Sequence, residues 1–66
     1  MTRAEFNTAI VNAWAAAAPV TDEQALTLAE QIYDEQRGTR EKEEFRKWFR
    51  LNGATAVARV NQQAAA

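Results

Sequence analysis

The sequence predicts an all-α fold. The expected architecture is a small bundle of three helices, at about 3–17, 22–37 and 40–51, plus a short C-terminal helix at about 55–63. Three observations lead there. Alanine is abundant while the 66 residues hold only two glycines and one proline, a composition that favours helix. Apolar residues recur at i, i+3, i+4 and i+7, and no alternating strand pattern persists. Capping signatures stand where the first two helices would begin.

The first signature is "TRAE". Thr2 can accept from the third helical N–H and Glu5 can reach back, with Met1 and Phe6 at the two hydrophobic-staple positions. Phe6, Ala9, Ile10, Ala13, Trp14 and Ala17 then form one apolar stripe. Pro19 drives Ala18 out of the helical region, which ends the helix near Ala17. "TDEQ" repeats the signature, with Thr21 as cap and Gln24 reaching back. Ala25, Leu28, Ala29 and Ile32 make the expected buried stripe of the second helix, flanked by Leu26 and Tyr33. Gly38 is a left-handed stop after Arg37.

Thr39 is the expected cap of the third helix, which carries Phe45, Trp48, Phe49 and Leu51. Asn52-Gly53 repeats the stop chemistry. "ATAVARVNQQAAA" is therefore expected as a separate short helix that buries Val57 and Val60 and frays at its end. The predicted core is Phe6, Ile10, Trp14, Leu28, Ile32, Phe45, Trp48 and Phe49.

A chain of this length makes one domain and buries only about 60% of its unfolded surface. It has no cysteine, hence no disulfide and no thiolate zinc site, and no histidine. The usual general base, metal ligand and pH switch are all missing. No glycine-rich phosphate loop and no nucleophile paired with a base is present. No catalytic, cofactor-binding or metal-binding residue is expected, and the reading is non-enzymatic. The N-terminus lacks the basic start and unbroken apolar core of a signal peptide. Its longest apolar run is far short of the roughly 20 residues of a membrane span. A cytoplasmic protein with no membrane partner is expected.

The stretch "EEFRKWFRLNG" sets basic residues among aromatic ones. At 100° per residue, Phe45, Trp48, Phe49 and Asn52 fall on one side of the helix. Arg46, Lys47 and Arg50 fall on the other, with Glu43 among them. A base-stacking surface needs rings and cations on the same face, so the rings are expected inside and the cations in water. Glu43 with Lys47, and Arg40 with Glu44, are i, i+4 pairs that suit a solvated face.

Two features suggest contact with another protein. Ala4, Val11, Ala15 and Ala18 give the first helix a second apolar face, and a helix apolar nearly all round is usually covered on both sides. Glu30, Asp34 and Glu35 form an acidic patch at the end of the second helix, where the helix dipole disfavours anions unless Arg37 and Arg40 neutralise them. The two halves of the chain differ in charge: residues 1–36 hold one Arg against six acidic residues, and residues 37–66 hold seven Lys/Arg against three Glu. That asymmetry is satisfied either within the fold or by a charged partner.

The expected function is stoichiometric protein binding by an adaptor or inhibitor of the size of phage-type host regulators. The partner is another protein, or a second copy in a homodimer. The alternative is a nucleic-acid-binding regulator that presents Arg46, Lys47, Arg50 and Arg59 to phosphates in a helix-turn-helix-like arrangement. Three glutamates at the start of the third helix and a pI near 5.3 speak against it.

Overall fold

The computed structural model of the chain describes residues 2–65, the side chain of Ala65 excepted. The staple contact expected of Met1 lies outside the described residues. Three helices follow one another: α1 Arg3–Ala17, α2 Asp22–Gln36 and α3 Thr39–Ala65.

The cap at Thr21 forms as the sequence predicts, and that at Thr2 forms by half, without the bond back from the Glu5 side chain. Thr2 accepts from the Glu5 N–H at 3.1 Å. Thr21 accepts from the Gln24 N–H at 3.1 Å while the Gln24 side chain accepts from the Thr21 N–H at 3.0 Å, a complete reciprocal box. Ala18 is extended, at φ −59° and ψ 146°, and its bond to Pro19 is cis. Gly38 has φ +108°, a region that side chains with a Cβ rarely adopt. Its N–H and that of Arg37 both donate to the Tyr33 carbonyl, at 2.7 and 2.8 Å, closing α2.

The fourth helix does not exist as a separate element. α3 runs unbroken for 27 residues, straight through Asn52 and Gly53. It also begins at Thr39 rather than after it, the Lys42 N–H bonding to the Gly38 carbonyl at 3.2 Å. Glycine stops a helix when it takes a positive φ. Gly53 does not take one, because its missing side chain serves another purpose: a Cβ there would stand 2.6 Å from the Phe49 ring. The ring occupies that space, and the helix continues beneath it.

The continuation is anchored at its far end. Asn61 donates from Nδ2 to the Val20 carbonyl at 2.8 Å and accepts from the Val20 N–H at 3.0 Å. This pair of bonds ties the last turns of α3 to the α1–α2 connection. Val57 and Val60 are buried there, as expected.

The core is built on Phe6, Ile10 and Trp14 of α1, Ala25, Ala29 and Tyr33 of α2, and Phe45, Val57 and Val60 of α3, with Val20 from the connection. Four of the predicted core residues are placed differently. Leu28 and Ile32 are only half-buried, and the centre of the α2 stripe is Ala25–Ala29–Tyr33. The small alanines let α1 approach closely enough for the Trp14 indole N–H to donate to the Ala25 carbonyl at 2.8 Å, in a buried position. Trp48 is not in the core: it is 44% exposed. Phe49 is half-buried and packs edge-on to Trp14, ring centres 6.0 Å apart. Phe6 meets Tyr33 in the same edge-to-face way at 4.7 Å, a geometry that the ring quadrupoles favour.

Candidate functional site

α1 and α3 border a cleft of about 260 Å³. Its floor is core: Ile10 and Trp14 from α1, Tyr33 from α2 and Phe45 from α3. On the α1 rim stand Arg3, Asn7 and Val11, and on the α3 rim Glu44 and Trp48. The Trp48 ring leans on Phe45, centres 5.6 Å apart. Val11 is 41% exposed, Trp48 44% and Leu51 83%. The cleft thus has an apolar floor, two large apolar side chains at its lips, and polar groups one helical turn from each of them. That is the general make-up of a docking groove.

Helical geometry explains why Trp48 is at the lip. Counted from Phe45, the buried face of α3 lies toward Phe49, Gly53, Val57 and Val60. Trp48 falls roughly 60° to the other side of Phe45, the side that borders α1. Grouping the aromatic residues on one half of the wheel was correct, but the α3 core face is narrower than that half. Arg46 and Arg50 stand roughly 160° away from Trp48 around the helix, so the exposed ring and the cations share no surface.

Tyr33 sits between this cleft and a neighbouring notch lined by Arg3, Phe6, Arg37, Glu41 and Glu44. Burial pushes its hydroxyl above the usual tyrosine value; the positive charge of Arg3 opposes that and the negative charge of Glu41 adds to it. The phenol is therefore neutral and able to donate at physiological pH. Arg37 lies over the Phe6 ring at 4.9 Å and pairs with Glu41 at 3.6 Å.

The acidic patch of α2 is largely occupied by the chain itself. Arg46 donates from Nε to Glu30 at 3.0 Å and also contacts Glu30 and Glu43 through its terminal nitrogens. The hydrogen bond to Glu30 raises the Arg46 pKa further above its ordinary range. Lys42 bonds Asp34 at 2.8 Å. Of the three patch residues, only Glu35 is in no ion pair among the described residues. Lys42 and Arg46 pair with the patch because they lie on the side of α3 that faces α2, and Arg40 is in no ion pair among the described residues. Glu43 likewise pairs with Arg46 rather than Lys47.

The four cations considered for nucleic acid do not form one face. Arg46 is turned toward Glu30. Lys47 and Arg50 point outward, exposed and outside any ion pair among the described residues. Arg59 is exposed on another side, near Thr55, Ala58 and Gln62. On α1, Ala4, Val11 and Ala15 are exposed, and Ala18, just past its end, is half-buried; the three helical positions share one side of α1, and Val11 is the one that lines the cleft. Trp48 and Leu51 were missed as surface residues. The available signal was the spacing of Glu44, Trp48, Leu51 and Thr55 along one side of α3.

No group of acidic side chains among the described residues is placed to hold a metal ion, and no helix is long and apolar enough to cross a membrane. Comparison with protein families, with curated proteins and with solved structures found no match. The fold and the cleft define a small all-α protein of three helices with an apolar two-helix face.

Proposed function

We propose that the chain is a non-enzymatic protein-binding module of the cytoplasm, an adaptor or inhibitor that docks another polypeptide on the α1/α3 face. One observation carries this reading: Val11 and Trp48, both large, apolar and more than two-fifths exposed, flank a single cleft whose floor is the hydrophobic core. Contiguous exposed apolar surface on a small protein marks an interaction site. Exposed tryptophan is the residue type most enriched at the centre of such contacts. An amphipathic helix laid along the groove is the recognition mode that fits a cleft bordered by two helices. Ala4, Ala15 and Ala18 extend the contact along α1, and Glu35, on α2, is the acidic residue left for charge complementarity with a partner. A phage-type host regulator, which acts by occupying a surface, is one setting that suits the size.

The alternative, a nucleic-acid-binding regulator, rests on Lys47 and Arg50, the exposed pair on the outer side of α3.

Capture of partners from a lysate of the source cells, treated with nuclease, separates the two. Val11→Asp is expected to reduce the captured polypeptides by about tenfold, equivalent to ~1.4 kcal/mol, while Arg50→Glu leaves them unchanged. Circular dichroism confirms that both variants keep their helices. The reading is overturned by an unchanged set of partners in folded Val11→Asp, or by capture that depends on Arg50 and disappears with nuclease.

A further inference from the structure

Leu51 is 83% exposed in the middle of an unbroken helix, and nothing in the cleft requires it there. It belongs to a pattern. Glu44, Trp48, Leu51, Thr55, Ala58 and Gln62 follow each other at alternating spacings of four and three residues, and every one of them is exposed. That alternation makes them one seam along the solvent side of α3, apolar at Trp48, Leu51 and Ala58 and polar at Glu44, Thr55 and Gln62. The expected stop at Asn52-Gly53 would have cut the seam in two. The continuity of α3 makes it one surface.

Read in opposite directions from a point between Leu51 and Asn52, the seam and its flank offer complementary residues. Glu44 lies seven residues before Leu51, and Arg59 lies seven after Asn52. Trp48 lies three before Leu51, and Thr55 three after Asn52. Two α3 helices crossing antiparallel between Leu51 and Asn52 therefore set the Glu44 carboxylate of one copy beside Arg59 of the other, twice by symmetry. Neither Glu44 nor Arg59 is in an ion pair within its own chain, among the described residues. The same register brings Trp48 of one copy over a shallow hollow of the other, formed by Ala54, Thr55, Ala58, Arg59 and Gln62. The small side chains of that hollow leave room for an indole, and Arg59 at its edge can stack on the ring.

We propose that the occupant of this surface is a second copy of the chain, in an isologous dimer held by antiparallel α3 helices, with Leu51 at the two-fold axis, Trp48 in the hollow at Thr55, and Glu44 paired with Arg59 across the interface. The inference rests on the reading that the α1/α3 side of the molecule meets polypeptide, and names the partner. Charge complementarity in one register favours a second copy over an unrelated helix. A closed two-fold interface also adds the buried area that a chain of this size lacks.

Sedimentation equilibrium of the purified chain, from micromolar to millimolar, tests it. Wild type is expected to dimerise, and Leu51→Asp, a change at a solvent-facing position, to stay monomeric with an unaltered helical spectrum. Glu44→Arg and Arg59→Glu should each weaken the dimer roughly three- to tenfold, and the double exchange should restore it, since the charges then pair with opposite sense. A monomer throughout the range, a dimer indifferent to Leu51→Asp, or a double exchange that fails to restore pairing each overturns the proposal. A wild-type monomer that still captures a foreign protein through Val11 overturns self-pairing and leaves the docking reading standing; a Leu51-dependent dimer whose foreign partners ignore Val11→Asp separates them the other way.

Discussion

A methyl group added at Gly53 would stand 2.6 Å from the Phe49 ring, closer than any real contact of that kind. At Gly38 the same methyl group would meet nothing within 4 Å, and only the backbone at φ +108° would object. The two glycines thus answer to different physics, one to packing and one to conformation. An exposed helical glycine replaced by alanine normally gains about 1 kcal/mol of helix propensity. Gly53→Ala is expected instead to destabilise the protein by about 1–3 kcal/mol, because the ring must leave its place against Trp14. Urea denaturation measures this; a stabilised variant would show that the ring does not depend on the glycine. "NG" by itself cannot reveal which role applies. The difference lies in where Phe49 turns, and Trp14, thirty-five residues earlier in the chain, decides that. The caps at Thr2 and Thr21 were legible because each depends on residues three positions apart.

The start and end of α1 and the start of α2 lie where the local sequence predicts, and α2 ends within one residue of expectation. α3 differs because its second half is held by distant residues. Asn61 bonds both backbone groups of Val20, forty-one positions away, and Val57 and Val60 bury themselves beside the same connection. Asn61→Ala removes both bonds at a partly buried site and is expected to cost about 1–3 kcal/mol. It should also speed hydrogen exchange at the Val20 amide and in the last turns of α3, while α1 and the first half of α3 stay protected. Uniform exchange across the helix would contradict the anchoring role. Periodicity revealed that residues 55–63 are helical and that two valines face inward, but not that the helix is continuous with the one before it.

The opposite charges of the two halves of the sequence meet across the α2–α3 contact, through Glu30 with Arg46 and Asp34 with Lys42. That arrangement occupies two of the three acidic side chains at the end of α2 and leaves apolar surface on the other side, along α1 and the near flank of α3. The Val11 face was legible in the sequence as a helix with too little polar covering. The Trp48 lip was not, because half a helical wheel is a coarser measure than the packing of three helices, and a ring next to the core can belong to either side of its edge. The central claim is that this face meets polypeptide. A photo-crosslinking residue placed at position 48, compared with one at position 50 in the same cells, tests it most directly. Cross-links to protein from position 48 and few from position 50 are expected. Cross-links to nucleic acid, concentrated at position 50 with position 48 silent, would contradict it.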